Sequence, residues 1–343
     1  MKLVIGGNGF LGAHVVRALV ADGEPVRVFS RTTSDMRSLS GLDVDHVSGS
    51  LFDHDAVAAA MRGADVVYHC AVDTRAWLTD PTPLYRTNVD ALGAVLDVAA
   101  RADLDAFVFT STMATIGRHP DRVVDERDSF NWRDTATDYV LSRVAAEDLA
   151  LRYAREERVP VRAMCVSNTY GARDWQPTPH GSFVAAAALG RMPFGIRGMR
   201  AEAVAVDDAA AALLAAARRG RTGERYIVSE RYLDLGEVIT TAATAVGAAP
   251  PRLVLGKPAL YAAGAVGSLR TRLTGRPQRL RIETVRLMHH MSQMSHAKAE
   301  SELDWHPRPV TDAIAEGARF WRDRRRPRAT TTQASSEASS SNE

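Results

Sequence analysis

The chain begins with a short apolar run, Lys2-Leu-Val-Ile5, that breaks into Gly6-Gly-Asn-Gly9-Phe-Leu-Gly12 before a helical pattern starts. Each glycine in such a strand-to-helix junction has a separate task. The first permits the tight turn, the second lets backbone amides approach an anion at the helix N-terminus, and the third lets the helix pack on the strand. The anion such a junction takes is the pyrophosphate of a dinucleotide, and the contacting stretch is Gly6, Gly9, Phe10, Leu11 and Gly12. About 20 residues further on, at the end of the second apolar run, an NAD site carries an acidic residue for the adenosine ribose. This chain reads Phe29-Ser-Arg31-Thr-Thr there. An arginine among hydroxyls suits a 2′-phosphate that a carboxylate would repel, so NADP(H) is expected ahead of NAD. The bland alternative is that Arg31 is a solvated surface charge.

The elements that position this chemistry follow from the apolar pattern. Runs at Lys2–Gly6, Pro25–Ser30, Asp43–Ser48, Asp65–Cys70, Ala106–Ser111 and Val161–Ser167 alternate with helix-length segments. Continuous apolar character, as in Asp65-Val-Val-Tyr-His-Cys70, marks strands buried on both faces. The expected fold is therefore α/β, a Rossmann doubly wound parallel sheet with a smaller C-terminal substrate-binding lobe. The helix Phe10–Asp22 presents Leu11, Val15, Ala18 and Leu19 on one face and stops at Gly23. After Tyr170-Gly171 the pattern shortens, then resumes with helices at Asp207–Arg218, Leu235–Val246 and Val310–Arg322 and a strand at Arg225–Ser229. The expected organisation is 1–170 for the dinucleotide domain, with later segments returning to it, 171–326 mainly for the substrate lobe, and a disordered tail over 327–343.

Composition narrows the partners. The 343 residues carry a net charge of +2 and 6% aromatics, which gives no footprint for nucleic acid; the basic run Arg322–Arg328 reads as solvated. No apolar stretch reaches the ~20 residues of a membrane span, and Met1 leads straight into a strand, so a cytoplasmic protein without membrane insertion is expected. The stretch Pro258–Leu269 reads as a core or pocket helix ahead of one skimming a membrane. Cys70 and Cys165 end apolar runs and read as small buried hydrophobes. There are three lysines, Lys2, Lys257 and Lys298, so a catalytic lysine has few candidates. His289, His290 and His296 lack carboxylate or cysteine partners at ligand spacing, and no metal is expected.

With these pieces placed, the chain resembles the extended short-chain dehydrogenase/reductases of the NAD-dependent epimerase/dehydratase family. Within that family it is similar to the dihydroflavonol-reductase-like and hopanoid-associated sugar-epimerase-like group. The likeness covers about residues 1–325 and rests on Phe29-Ser-Arg31, His69-Cys-Ala71, Tyr85-Arg-Thr-Asn88, Phe109-Thr-Ser-Thr112, Asp138-Tyr139, Ser167-Asn-Thr-Tyr-Gly171 and Gly223-Glu-Arg-Tyr-Ile-Val228. The resemblance implies hydride chemistry by a Ser or Thr, a Tyr and a Lys four residues after the Tyr. Thr112 and Tyr139 match; position 143 is Arg. A phenol of ordinary pKa near ~10 needs a fixed cation to exchange protons at neutral pH. In Tyr139-Val-Leu-Ser-Arg143 the two side chains share a helix face at i and i+4, so Arg143 keeps the charge and reaches the phenol and the nicotinamide ribose although it cannot relay a proton, and Tyr139, Arg143 and Asn88 count among the expected cofactor-binding residues.

The resemblance further implies that Ser50 and Leu51 meet the adenine, that Ala71, Val166 and Asn168 line the cofactor, and that Asn88 backs the site by hydrogen bonding. Trp77, Trp132 and Trp175 fall in loops above the strand ends and suggest an apolar or ring-shaped substrate, with ordinary loop packing as the alternative. The leading expectation is an NADP(H)-dependent carbonyl reductase or alcohol dehydrogenase acting on a small to medium apolar ketone, aldehyde or hydroxysteroid-like molecule, as a monomer or homodimer. A nucleotide-sugar epimerase or dehydratase and a non-catalytic dinucleotide sensor remain as alternatives.

Overall fold

Valine, isoleucine and phenylalanine dominate the first strand runs, and burial of both faces leaves them nowhere to sit except the middle of a parallel sheet. In the computed structural model, which describes residues 1–274, 278, 281–282, 285–286 and 292–325, they do so. The first half runs β1 (Lys2–Ile5), α1 (Phe10–Ala21), β2 (Val26–Ser30), β3 (Asp45–Ser48), α2 (His54–Met61) and β4 (Val66–His69). It continues through α3 (Thr82–Tyr85), a π-helical segment Arg86–Asp90, α4 (Ala91–Ala99), β5 (Ala106–Thr112), α5 (Asp138–Arg155) and β6 (Val161–Val166). Next come β7 (Asn168–Tyr170), α6 (Gly181–Ala188), β8 (Gly195–Ile196), β9 (Arg200–Ala205), α7 (Val206–Arg219) and β10 (Arg225–Val228). The last described elements are β11 (Arg231–Asp234), α8 (Leu235–Thr244), β12 (Val254–Leu255), α9 (Lys257–Thr274), α10 (Ala297–Leu303) and α11 (Val310–Arg325).

Seven strands form one parallel sheet in the order β10-β6-β5-β4-β1-β2-β3. The strand order reverses between β1 and β4, so the crevice above their carboxyl ends is the topological switch point where ligands of open α/β sheets bind. Two apolar layers sandwich the sheet. One joins Val15, Val16 and Leu19 of α1 to Leu213 of α7, and the other joins Leu92, Val95 and Leu96 of α4 to Ala146 and Ala150 of α5. Thus β10 and α7, though late in sequence, complete the dinucleotide sheet and its cover.

At Ser167 the chain leaves the large sheet, and β7 joins a second, three-stranded sheet of order β11-β9-β7. Tyr170, Val184, Leu235, Ile239 and Ile314 form the separate core around it. Helix α9 contributes to that core from one side alone. Leu260 and Gly264 are buried, whereas Val266, Leu269 and Leu273 are exposed, so the stretch expected as a core or pocket helix is core on a single face. The tail 327–343 lies outside the described residues.

One buried carboxylate ties the last stretch to the small sheet. Glu202 on β9 accepts hydrogen bonds from the Ser229 hydroxyl and, at 2.7 Å, from the Met294 amide. Burial pushes its carboxyl up to about 7, against those two hydrogen bonds, which favour the ion. Because the folded value exceeds that of the unfolded chain, this group's contribution is full below about pH 4 and is lost as pH rises through 7. Glu202→Gln is therefore expected to reduce the fall in thermal midpoint between pH 5 and pH 8, read by circular dichroism melts at the two pH values.

Candidate active site

The glycine junction closes by backbone contact. Gly6 takes φ +76°, and a Cβ there would lie 2.8 Å from the Ala71 nitrogen, which brings the loop after β4 against the turn. A Cβ on Gly12 would lie 2.4 Å from the Gly6 oxygen. Helix α1 starts at Gly9 without any side-chain cap, so the first amides, those of Phe10, Leu11 and Gly12, keep the orphan N–H groups that an anion satisfies. These features fit a dinucleotide pyrophosphate: an uncapped helix end and a cradle that side chains would fill.

Arg31 follows β2 and is exposed, and no ion pair or hydrogen bond engages its guanidinium among the described residues. Its neighbour Arg37 is by contrast clamped by Asp35 at 2.6 Å. Ser50 is exposed in the turn after β3, where its hydroxyl accepts the Phe52 amide at 3.2 Å, and Leu51 packs beside it on the sheet's second apolar layer. Ala71, Val166 and Asn168 all lie at the carboxyl ends of strands β4 and β6 or just beyond, with Val166 directly across from Thr112 in the β5–β6 register.

Helix α5 brings the reactive groups to the same edge. Thr137 caps it by accepting the Val140 amide, and the helical repeat stacks Tyr139, Arg143 and Glu147 on one face. The Thr112 hydroxyl, at the end of β5, accepts the Ala114 amide at 3.3 Å and stands near enough to the Tyr139 phenol to favour its ionised form. Burial raises the phenol above its ordinary value, while the Arg143 cation and the Thr112 hydroxyl pull it back down. Arg143 is 2% exposed; it donates to the Thr110 carbonyl at 2.5 Å and lies 5.1 Å from the Phe109 ring centre. Its Nε is buried without a partner, as are both ring nitrogens of His69 at the end of β4. Burial, then the Arg143 charge, pushes His69 down to about 3, so the imidazole stays neutral beside the cation.

Asn88 serves by positioning. Its Oδ1 accepts the Asp73 amide at 2.8 Å, and its Nδ2 donates to the Asp73 carbonyl at 3.1 Å and the Ser142 hydroxyl at 3.0 Å. The clamp fixes the loop after β4 to α5, and the Asp73 carboxylate so held pairs with Arg75 at 2.5 Å and raises the phenol.

Two further groups escaped the reading of the sequence. Glu147, one turn past Arg143, pairs with Arg225 of β10 at 3.1 Å and accepts from Ser111, from Thr115 at 2.9 Å and from Cys165 at 3.3 Å. The four-residue spacing Tyr139, Arg143, Glu147 was its available signal. His14 of α1 bonds Asp207 at 2.5 Å and the Ala172 carbonyl at 3.2 Å, and so anchors the loop after β7.

The tryptophans divide. Trp132 is buried and donates to the Ile116 carbonyl at 3.3 Å, forming with Phe130, Ala114 and Ala136 an apolar wall beside Tyr139. Trp175 packs edge-on against Phe320 of α11 at 5.1 Å and serves lobe packing. Trp77 is half-buried in the loop after β4. His296 pairs with Glu300 at 3.4 Å; His289 and His290 lie outside the described residues. An open cleft of about 430 Å³ at the amino end of β10 is lined by charges that satisfy each other, such as Lys298 with Glu224 at 2.6 Å, and it is remote from the glycine junction.

A uncapped helix at a glycine junction, above a seven-stranded parallel sheet, defines a dinucleotide-binding Rossmann protein. Residues 2–229 match the model of the NAD dependent epimerase/dehydratase family, and the chain belongs to that family, whose members are NAD(P)-dependent oxidoreductases, epimerases and dehydratases. It is 29% identical to sterol demethylase protein B of Methylococcus capsulatus over 330 residues, 94% of this chain and 98% of that one. It is 31% identical to a putative dihydroflavonol 4-reductase of Synechocystis over 254 residues, 73% of each. It is also 30% identical to a ceramide reductase of Caulobacter vibrioides over 276 residues, 80% of this chain and 79% of that one. Among solved structures it is similar to gox2253, with a TM-score of 0.83 and 30% identity over 94% of this chain and 98% of that one.

Removing the Asn88 amide leaves the buried Asp73 amide unpaired. Asn88→Ala is expected to cost about 1–3 kcal/mol of stability, the penalty of an unsatisfied buried group, as measured by urea unfolding.

Proposed function

We propose that the protein is an NADP(H)-dependent oxidoreductase that interconverts an apolar ketone or aldehyde and its alcohol. The observation that carries the reading is the Tyr139 phenol placed by Thr112 and biased by the buried Arg143 cation, beside an apolar wall at the carboxyl edge of the sheet. When bound, the nicotinamide supplies or accepts the hydride. Tyr139 Oη gives a proton to the substrate oxygen in reduction and takes one in oxidation, and the Thr112 hydroxyl orients that oxygen. Arg143 stabilises the phenolate from below. It cannot lose its own proton, so proton exchange with water bypasses it.

Arg31 would hold the 2′-phosphate, since it is exposed and unpaired while Asp35, four residues on, is neutralised by Arg37. The remaining contacts proposed for the cofactor are Gly6, Gly9, Phe10, Leu11 and Gly12 for the pyrophosphate, Ser50 and Leu51 for the adenine, and Ala71, Val166 and Asn168 around the nicotinamide half. The relatives whose names specify a reduction, dihydroflavonol 4-reductase and ceramide reductase, support a reductase.

Fluorescence titration with NADPH and NADH, followed by a carbonyl panel, tests the reading. Tyr139→Phe is expected to lower kcat about 10²–10⁴-fold with NADPH affinity unchanged, and Arg143→Lys to raise it by restoring a proton relay. A folded protein that binds NADPH yet turns over no carbonyl in either form would instead be a dinucleotide sensor. Arg31→Glu is expected to weaken NADPH about tenfold or more and leave NADH unaffected, as loss of a charge-assisted phosphate contact requires. Equal effects on the two cofactors would make Arg31 a surface charge.

A further inference from the structure

Helix α9 turns an apolar face to solvent. Val266 is 67%, Leu269 57% and Leu273 77% exposed, and Ala262 and Ala265 are exposed with them. At ~100° per residue these five side chains fill an arc of about 100°. Exposed Arg270 and Arg272 fall on opposite borders of that arc, one on each side. The reverse face is spent on the protein. Leu260, Gly264 and Thr271 are buried there, and a Cβ on Gly264 would meet Val285 at 3.1 Å and the Arg281–Ile282 backbone at 3.2 Å.

The charge is as one-sided as the apolar face. From Ala248 to Ile282 the sequence has Arg252, Lys257, Arg270, Arg272, Arg276, Arg279 and Arg281 and no aspartate or glutamate, in a chain whose net charge is only +2. An apolar stripe bordered by arginines, without acids, matches the acyl–headgroup boundary of an anionic bilayer. A second copy of the chain is a poor occupant. A two-fold axis through Leu269 would set Arg270 and Arg272 of both copies around that axis, with no carboxylate on either helix to offset them. No helix among the described residues is long and apolar enough to cross a membrane, so the helix would lie on the surface.

We propose that α9 docks the protein peripherally on an anionic lipid surface, with Val266, Leu269 and Leu273 entering the headgroup boundary and Arg270 and Arg272 on the phosphates. The docking face connects to the active site, because Arg281, packed under Gly264, donates to the Trp77 carbonyl at 3.5 Å in the loop that carries Asp73. The proposal stands apart from the redox reading, because adsorption requires no turnover.

The full chain, mixed with vesicles of phosphatidylcholine alone or with phosphatidylglycerol, is expected to sediment with the anionic vesicles and to be released by salt. Leu269→Glu with Leu273→Glu, and separately Arg270→Glu with Arg272→Glu, are expected to weaken vesicle binding about tenfold or more. NADPH titration of each variant reports an intact fold. Failure of the wild type to bind anionic vesicles overturns the proposal, as does equal binding to neutral vesicles or persistence of binding in both variants. A wild-type dimer by light scattering that Leu269→Glu with Leu273→Glu makes monomeric would assign the face to a second copy, and that outcome also overturns it.

Discussion

The contact between the backbones of Gly6 and Gly12 is the constraint on which the site depends. With no room for a methyl group between them, α1 can sit low on β1 and point its uncapped end into the crevice at the switch point. The same closeness draws the loop after β4 against the turn, through Gly6 and Ala71. That loop carries Asp73, Asn88 clamps Asp73 to α5, and α5 carries Tyr139 and Arg143. The pyrophosphate end and the proton-transfer end are thus joined by a short series of contacts, each made by backbone or by a fully buried amide.

The second organising feature is the polar seam under α5. Tyr139, Arg143 and Glu147 descend one helix face from the crevice into the interior, and Arg225 closes the lower end from β10. A buried cation is costly unless its surroundings compensate it, and here a backbone carbonyl, an aromatic face and the Glu147 carboxylate do so. Arginine at position 143 suits this setting better than its size suggests. Its delocalised charge is weakly hydrated and can rest on Phe109 while one nitrogen reaches Thr110.

How far the sequence disclosed all this varied with the range of the interactions. The parallel strands, the glycine junction, and the alignment of Tyr139 with Arg143 depend on local pattern, and they are where the apolar runs and the helical repeat put them. The helix read as Asp207–Arg218 is Val206–Arg219, and the strand read as Arg225–Ser229 is the seventh strand of the main sheet. The pairing of Glu147 with Arg225 spans 78 positions, and that of His14 with Asp207 spans 193, so no local signal announced either. The exposure of one side of α9 was hidden for the opposite reason. A run rich in alanine and glycine gives little contrast between faces, and only packing against Val285 decides which side is inward.

The π-helical segment Arg86–Asp90 has a consequence for how this helix tolerates change in length. A π turn accommodates one residue more than regular winding would, and that extra residue sets the angle at which Asn88 leaves the helix. Loss of that residue would return the segment to regular winding with the flanking turns still in phase, and would rotate Asn88 off the direction the wide turn gives it. The amide would then leave the Asp73 loop, and the loop would lose its tie to α5. A one-residue deletion is therefore felt at the Asn88 amide ahead of the flanking turns, and the length of this segment is held by the same geometry that holds the active-site loop.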